Sequence, residues 1–377
     1  MKKYVIISGF NTHENNRGTA ALSYGAINFC LEKGYLTPKQ NLLSLIPVLN
    51  IWKYKDYEEE YKAGEITIKY KVRHISLLEK KLYDKYGLLI PFTKLYKYIK
   101  KIELVAAING GDGFSDIYSK KTYLARFVDT FMAMKAGIPM IQLPQTIGPF
   151  KDKENYLLAE RILKYAKKVY VRDDKFIKKL DLMKVKYEQT KDLSAYMRPE
   201  PIDIDIEPGA VGINVSGLAY SNSFQTLSGQ FEQYPFLINL LVETFQSQRI
   251  PVYLIPHSYN YSSPISNNDD LLACKAAYKR LSDKKGVVLV DKDLSSPQVK
   301  YVISKMNYFI GTRMHANFAA IYTNVPLYGL AYSYKFEGAF KANGVLNDNV
   351  SLINNITKAD VNHIINKIIQ HYKNNHN

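Results

Sequence analysis

The chain has 377 residues, of which 46% are hydrophobic and 23% charged, so disordered and fibrous classes are excluded. Its 51 basic and 35 acidic residues leave a formal charge of +16, which favours an anionic partner such as a phosphorylated metabolite, nucleic acid or anionic lipid. The only two cysteines, Cys30 and Cys274, exclude a disulfide framework and any multi-cysteine metal site.

The N-terminal stretch MKKYVIISGFN starts with basic residues, but its apolar run ends after a few positions. A secretory signal needs a longer apolar region and a cleavage site, so we interpret this stretch as a first strand. No apolar run in the sequence approaches the roughly 18 residues that a membrane span requires. We therefore expect a soluble protein of the cytoplasm.

Short apolar runs of strand length alternate with segments of helical period through most of the chain. In the first half we predict strands at 4–9, 103–109, 138–143 and 168–172, with helices at 18–33, 123–135 and 154–166. In the second half we predict strands at 210–216, 252–256, 286–290 and 307–311, and a helix that ends near Gln248. This alternation predicts parallel sheets with helices on both faces.

The alternation stops at residues 198–209, RPEPIDIDIEPG, where three prolines and four acidic residues are typical of a linker. We predict an α/β protein with two Rossmann-like doubly wound domains facing a cleft, at residues 1–197 and 210–348. Residues 349–377 would form a C-terminal helix and tail that could pack back on the N-terminal domain. Ligands of such folds bind at the carboxyl ends of the strands.

Residues 52–101 are rich in Tyr and Lys and interrupt the alternation, so we predict an insertion in the N-terminal domain. One interpretation is a solvated helical insertion whose tyrosines pack on the core. The other is a basic amphipathic surface that contacts anionic lipid headgroups or a lipid-linked substrate. The sequence leaves both interpretations open.

Several familiar motifs are missing. GGDG at residues 110–113 lacks the third glycine of a dinucleotide fingerprint, and neither a phosphate loop nor a GxSxG elbow is present. The histidines lack metal-binding spacing, and the acid pair Asp203 and Asp205 lies in the linker, where exposed carboxylates are expected. We therefore expect no metal and no cofactor.

Residues 307–338, NYFIGTRMHANFAAIYTNVPLYGLAYSYKFEG, are the most informative stretch. They predict a strand, then a helix with Thr312 as its N-cap and Arg313 and His315 in its first turn. The helix dipole disfavours cations there, so this placement suggests an anion held by backbone N–H groups and both side chains. Alternatively, Arg313 pairs with a neighbouring carboxylate and His315 is a satisfied, partly buried histidine. Lys335 follows the next strand and could reach the same place.

Other polar residues also follow predicted strands. In the second half these are Asn214, Ser216 and His257. In the first half they are Gly110, Gly111, Asp112, Gln145 and Arg172, and the first strand–helix connection adds Asn16 and Gly18. Their shared position at carboxyl ends of strands predicts a ligand-binding cleft.

An ordered set of segments resembles the polysaccharide pyruvyl transferase family. The segments run from about residue 9 to residue 338: NNRGTAAL, NGGDGFSD, GIPMIQLPQTIGPF, VYVRD, VGINVSG, VYLIPH and IGTRMHANFAAIYTNVPLYGLAYSYKFEG. The Arg-x-His segment, followed by residues 332–335, is the most specific. The family is similar in fold to GT-B glycosyltransferases. Its members transfer pyruvate from phosphoenolpyruvate, as co-substrate, onto two hydroxyls of a sugar to form a ketal.

The resemblance implies that Arg172, Arg313 and His315 hold phosphoenolpyruvate and that Lys335 lies in a matching motif. By position we add Asn214 and Ser216 to the donor site, and assign the acceptor site to Asn16, Gly18, Gly110, Gly111, Asp112 and Gln145. His315 is a candidate to donate a hydrogen bond to the phosphate or to act as the general acid, because the ordinary pKa of histidine lies near working pH. His257 and Asp112 are candidates for the general base by position.

Two departures from the family pattern bear on the acceptor. Gly18-Thr19 stands where many relatives have Gly-Asp, and Asp112 replaces a third glycine. The expected acceptor is a sugar of a cell-surface polysaccharide, such as exopolysaccharide or capsule, or its lipid-linked oligosaccharide precursor.

Two other functions stay open. A GT-B glycosyltransferase using a nucleotide sugar would share the fold and the cationic cleft, but no acidic position after the Arg-x-His helix has the spacing that holds a ribose. A nucleic-acid binder would suit the charge and the 31 tyrosines, but the basic residues are spread through the chain and no nucleic-acid motif is present. We expect no nucleic-acid partner, and peripheral contact with the inner membrane surface depends on residues 52–101.

Overall fold

The computed structural model describes residues 3–111, 113–117, 120–174, 176–259, 267–332, 335–345 and 347–376, without the side chains of Lys335, Glu337, Ala339 and Asn347. The chain divides into two compact units. The first consists of residues 1–11 and 22–197, and the second of residues 12–21 and 198–377.

The first unit contains an eight-stranded sheet with the order β3-β4-β2-β1-β5-β6-β7-β8. Its strands are β1 (Tyr4–Ile7), β2 (Asn41–Val48), β3 (Tyr57–Ala63), β4 (Ile66–Ser76), β5 (Ile102–Ala107), β6 (Met140–Gln145), β7 (Lys168–Val171) and β8 (Glu188–Gln189). All neighbours are parallel except the hairpin pair β3 and β4. The helices are α1 (Arg17–Glu32), which begins in the second unit, α2 (Leu77–Tyr86), α3 (Lys94–Ile99), α4 (Lys120–Ala125), α5 (Val128–Ala136), α6 (Lys153–Tyr165), α7 (Ile177–Leu182) and α8 (Leu193–Tyr196).

The second unit contains a six-stranded sheet, all parallel, with the order β11-β10-β9-β12-β13-β14. Its strands are β9 (Val211–Asn214), β10 (Val252–Leu254), β11 (Val287–Leu289), β12 (Tyr308–Gly311), β13 (Leu327–Ala331) and β14 (Val350–Leu352). Its helices are α9 (Gly217–Ser221), α10 (Tyr234–Ser247), α11 (Asp270–Arg280), α12 (Ser296–Ser304), α13 (Met314–Ile321), α14 (Lys335–Lys341) and α15 (Lys358–Asn374).

Both sheets are covered on both faces, as the alternating pattern predicts. In β1, Tyr4 and Ile6 pack in one core cluster, whereas Val5 and Ile7 pack in another. The pleat of a strand turns successive side chains to opposite faces, so each sheet separates two apolar layers. None of the described helices is long and apolar enough to cross a membrane.

The Tyr/Lys-rich segment at 52–101 is not the helical insertion that one interpretation expects. It contains the β3–β4 hairpin at the sheet edge, followed by the short helices α2 and α3. In β4, Ile68, Tyr70 and Val72 are buried on alternate positions, so a period of two was present in the sequence. The neighbouring strand β3 has the charged sequence YEEEYKA, which resembles a solvated helix and drew attention away from this period of two. Edge strands such as β3 carry charge because charge disfavours pairing with further strands.

Two boundaries also differ from the prediction. Residues 12–21 belong to the second unit, although we placed them in the N-terminal domain. Helix α15, which we placed outside the C-terminal domain, also lies in the second unit, where Val361, Ile364 and Ile368 join the core. In the predicted linker, Ile202 and its alternate neighbours pack against a second-unit core cluster, whereas the acid pair is exposed.

Candidate functional site

Three neighbouring strands of the second unit end in polar residues that the sequence singled out. β9 ends at Asn214, β10 leads to His257, and β12 leads to Arg313. Because these strands are parallel neighbours, their carboxyl ends lie at one edge of the sheet. The Asn214 carboxamide oxygen accepts the Arg313 backbone N–H at 2.9 Å.

Asn214 and Ser216 are both fully buried. The Asn214 amide nitrogen donates to the Ile255 carbonyl at 2.9 Å, so both ends of this side chain are engaged. We predicted direct contact between Asn214 and a donor molecule. The geometry instead makes Asn214 a residue that positions Arg313.

Asp270, which the sequence analysis missed, is the centre of this arrangement. Its fully buried carboxylate accepts hydrogen bonds from Arg313 Nη2 at 2.6 Å, the Gly217 N–H at 2.8 Å and the His257 N–H at 3.2 Å. Only the Asp269-Asp270 pair signalled it, and such a pair before an apolar helix predicts capping. Asp269 does cap α11 by accepting the Leu272 N–H at 3.0 Å.

Arg313 combines the two alternatives that the sequence left open. It pairs with the Asp270 carboxylate, and its Nη2 also donates to the Asn268 carboxamide at 2.7 Å. In the described part of the chain, Nη1 donates no hydrogen bond, so two N–H groups of the fork stay available. Burial lowers the pKa of Arg313, but the Asp270 carboxylate outweighs it and raises that pKa above its ordinary value. The guanidinium is therefore permanently charged.

The first turn of α13 differs from the prediction in its cap. Thr312 is not the N-cap, because its hydroxyl is hydrogen-bonded to the Tyr234 hydroxyl at 2.7 Å. Arg313 occupies the N-cap position, and its own side chain makes no capping hydrogen bond. His315 lies in the first turn as predicted, with its ring edge-on to Phe318 at 5.5 Å.

His257 is buried and held by its backbone, since its carbonyl accepts the Arg17 N–H at 3.1 Å. Burial, reinforced by the charges of His315, Arg313 and Arg17, holds the pKa of His257 well below its ordinary value. Its Nδ1 has no hydrogen-bond partner among the described residues. His257 is therefore a neutral imidazole at physiological pH, suited to accept a proton rather than to act as a cation.

The connection between β1 and α1 joins this group. Asn16 forms an antiparallel bridge with Ser258, and its carboxamide oxygen accepts the Gly18 N–H at 3.0 Å. At Gly18 a Cβ atom would come within 2.7 Å of His315 Nδ1, so only glycine allows this close approach. Both predicted acceptor residues thus lie beside the histidines of the second unit.

Arg17, which the sequence analysis did not single out, fixes this connection. Its Nε donates to the Leu294 carbonyl at 2.6 Å, its guanidinium pairs with Asp293, and it lies over the Tyr259 ring at 4.7 Å.

In the first unit, Gly111, Gln145 and Arg172 lie together. Arg172 Nε donates to the Thr146 hydroxyl at 3.0 Å, and a Cβ at Gly111 would come within 3.2 Å of Arg172 Nη1. Gln145 is fully buried and exchanges two hydrogen bonds with Asn109, at 2.9 and 3.0 Å. Gln145 therefore braces the ends of β5 and β6, and direct acceptor contact is not supported.

Two predicted residues cannot be placed in these groups. Asp112 lies outside the described residues. Lys335 begins α14, but its side chain also lies outside the description.

The first unit also contains a cavity of about 290 Å³ at the carboxyl ends of β1 and β5. Its lining includes Gly110, which the sequence predicted, and Ser8, Asn109, Arg126 and Asp129, which it did not. Burial raises the pKa of Asp129 to about 6, against the opposing effect of Lys80. A carboxylate and a guanidinium in one small cavity suit a ligand rich in hydroxyl groups.

Comparison with known proteins fits this organisation. A family model described as polysaccharide pyruvyl transferase matches residues 16–334. Among solved structures, the chain is similar to a putative UDP-N-acetylglucosamine 2-epimerase from Listeria monocytogenes, with 10% identity, a TM-score of 0.54, and coverage of 99% of this chain and 90% of that one. It is also similar to UDP-GlcNAc 2-epimerase from Neisseria meningitidis bound to UDP-GlcNAc, with 11% identity, a TM-score of 0.52, and coverage of 100% and 93%.

At such low identity these likenesses show the fold alone, and they confirm the predicted GT-B-like α/β class. The family model covers most of the chain. The protein therefore belongs to the polysaccharide pyruvyl transferase family, a family of transferases.

Proposed function

We propose that the protein transfers pyruvate from phosphoenolpyruvate onto two hydroxyls of a sugar, forming a ketal on a cell-surface polysaccharide or its lipid-linked precursor. The observation that carries this proposal is the state of Arg313. Asp270 and Asn214 lock this residue in place, yet its Nη1 donates to no described residue. It stands at the N-cap of α13, next to a neutral His257.

Phosphoenolpyruvate carries a phosphate and a carboxylate, and the two N–H groups on Nη1 of Arg313 can donate charge-assisted hydrogen bonds to oxygens of either group. Hydrogen bonds to charged groups contribute about 1.5–3 kcal/mol each. Asp270 holds Nε and Nη2, so the fork is preorganised and its remaining donors are not spent on the fold. The N–H groups at the start of α13 add further donors for an anion.

The reaction requires one proton delivered and two removed. The methylene carbon of phosphoenolpyruvate gains a proton, one sugar hydroxyl bonds to the central carbon, and the bond from that carbon to the phosphate oxygen breaks. The second hydroxyl then bonds to the same carbon and closes the ketal, and each hydroxyl loses its proton to a base.

We assign to His315 the role of general acid or of hydrogen-bond donor to the phosphate, and we keep His257 as the candidate for the general base. Because His257 is neutral, it has no imidazolium proton to deliver, and this leaves His315 for the role of the acid. His257 instead has an imidazole nitrogen without a partner among the described residues, ready to accept a proton. Arg313 binds the phosphate as it leaves.

We assign the acceptor sugar to the cavity at the ends of β1 and β5. The Asp129 carboxylate would accept hydrogen bonds from sugar hydroxyls and Arg126 would donate them. Gly110 lines the same cavity, with a backbone φ of 79° that favours glycine.

The test is an acceptor screen with phosphoenolpyruvate and a panel of glycosides, read by phosphate release and by mass spectrometry of the sugar product. The proposal predicts phosphate release and a product heavier by one pyruvate ketal, without added metal. Gly338→Ala is a suitable control, because a Cβ there meets no atom of the described residues within 4 Å. If a nucleotide sugar is consumed instead and phosphoenolpyruvate is left intact, the protein is a glycosyltransferase. If a chelator abolishes activity and a divalent ion restores it, the metal-free mechanism is wrong.

A further inference from the structure

Large apolar side chains are unusually exposed in one part of the first unit. Of the sixteen strongly exposed ones among the described residues, ten lie between residues 46 and 92. Leu49 and Trp52 are each 90% exposed, Leu88 is 54% exposed and Phe92 is completely exposed. Soluble monomers rarely expose apolar groups in such density without a partner.

Phe92 marks the centre of this region. It lines a groove of about 390 Å³ together with Tyr96, Lys97, Lys100 and Lys101. Its backbone φ of 68° lies in the left-handed region, which is unfavourable for a bulky residue. Phe92 thus combines backbone strain with a fully exposed aromatic ring, and neither stabilises the fold. Both features indicate a binding function for this residue.

The same region carries a strong excess of positive charge. Residues 80–101 contain seven lysines and one acidic residue, Asp84, which pairs with Lys80. Among the described residues, Lys81, Lys85, Lys97, Lys100 and Lys101 make no ion pair. Lys100 lies over the Tyr96 ring at 4.1 Å, so ammonium and aromatic groups alternate on this surface.

The chain that follows Trp52 is tied to helix α3, whose residues line this groove. Asp56 binds Lys94 of α3 at 2.7 Å and accepts the backbone N–H of His74 in β4 at 2.9 Å. Arg73 of β4 in turn donates to the Tyr98 hydroxyl of α3 at 2.9 Å. We call the surface formed by the groove residues Phe92, Tyr96, Lys97, Lys100 and Lys101 the aromatic–lysine face.

We propose that the aromatic–lysine face binds the surface of an anionic lipid bilayer. Aromatic rings favour the zone between headgroups and acyl chains, and long lysine side chains place their charge among the headgroups. Each lysine near an anionic bilayer strengthens binding about fivefold. Lysines that make no ion pair among the described residues surround exposed apolar side chains, and this combination matches an anionic lipid surface in both charge and polarity. The proposal does not rest on the proposed reaction.

Trp52 provides a direct readout, because it is the only tryptophan of the chain. The full-length protein is titrated with vesicles of phosphatidylcholine alone, and with vesicles of equal parts phosphatidylcholine and phosphatidylglycerol. With the anionic vesicles we expect Trp52 emission to shift to the blue and iodide quenching to fall, and added salt to reverse both. Phosphatidylcholine alone should have little effect.

Two variants test the two components of the face. Leu88→Ser with Phe92→Ser removes apolar groups that are already exposed, so folding is unaffected while vesicle binding is lost. Lys97→Gln with Lys100→Gln should lower the partition coefficient about 25-fold, at about fivefold per lysine. Lys178→Gln with Lys179→Gln, two exposed lysines of α7, is the matched control for the charge variant, and Leu182→Ser, where Leu182 is 70% exposed, is the control for the apolar variant. Both controls should bind like the wild type.

Three results would overturn the proposal. Vesicle binding without a change in Trp52 emission means that another basic face makes the contact. An equal loss in the control Lys178→Gln with Lys179→Gln means that net charge alone drives binding. If the wild type does not bind anionic vesicles but sediments as a dimer that Leu88→Ser with Phe92→Ser converts to a monomer, the face is an interface with a second copy.

Discussion

Asp270→Asn is the sharpest perturbation of the second-unit group. Donors from Gly217, His257, Asn214 and Arg313 converge on the Asp270 carboxylate, which is fully buried. Asparagine keeps the shape but leaves one acceptor oxygen, and it turns two N–H groups toward existing donors. Breaking a buried ion pair by removing one partner costs about 3–5 kcal/mol, so we expect a loss of that size in the unfolding free energy.

The measurement is urea unfolding of the wild type, Asp270→Asn and the control Asp152→Asn, an exposed N-cap of α6 whose carboxylate accepts the Glu154 N–H at 2.7 Å. Asparagine is as good an N-cap as aspartate, so the control should stay within about 0.5 kcal/mol of the wild type. Phosphoenolpyruvate affinity should fall in Asp270→Asn alone, because Arg313 loses its anchor. Equal stability and equal donor affinity in the two variants would refute a positioning role for Asp270.

Three further predictions use the same structure. His257→Gln should flatten the pH dependence of stability below about pH 6.5. In the wild type, His257 binds a proton there in the unfolded state but not in the buried, folded state, so the unfolding free energy decreases as the pH is lowered, by up to ~1.4 kcal/mol per pH unit in urea unfolding. A steep slope that persists in the variant would contradict this. Gly18→Ala should lower kcat in steady-state kinetics by displacing the His315 ring, whereas Gly338→Ala should not. Equal kcat values for the two variants would contradict the close approach of Gly18 to His315. Asp129→Asn should raise the acceptor KM about tenfold while the phosphoenolpyruvate KM stays constant, and a rise in the donor KM instead would move the acceptor elsewhere.

The sequence predicted well those features that follow from local periodicity. Parallel sheets with two covered faces were visible in the alternation of apolar runs, and strand ends at Asn214, His257 and Arg313 converge because parallel neighbours end at one edge. The β3–β4 hairpin was missed because its edge strand is charged and resembles a solvated helix. Its buried partner strand, with a period of two, would have been the correct signal.

What the sequence could not show depends on contacts between distant residues. Residues 12–21 join the second unit through bonds such as the Arg17 N–H to the His257 carbonyl, which no local pattern encodes. Asp270 looks like any acidic residue at a helix start until the fold brings Arg313 to it. Full burial likewise separates Asn214 and Gln145, which brace the scaffold, from residues that can touch a ligand.

Calorimetric titration with phosphoenolpyruvate in the absence of acceptor tests the central claim, that this protein binds an enolpyruvyl donor through Arg313. We expect the wild type to bind phosphoenolpyruvate, with affinity that falls as salt rises, and to bind uridine and guanosine diphosphates much more weakly. Arg313→Lys should lower the affinity at least about tenfold, because an ammonium cannot hold Asp270 and the anion with one planar fork. A nucleotide diphosphate that binds more tightly than phosphoenolpyruvate, or an Arg313→Lys variant that binds phosphoenolpyruvate as the wild type does, would contradict the account.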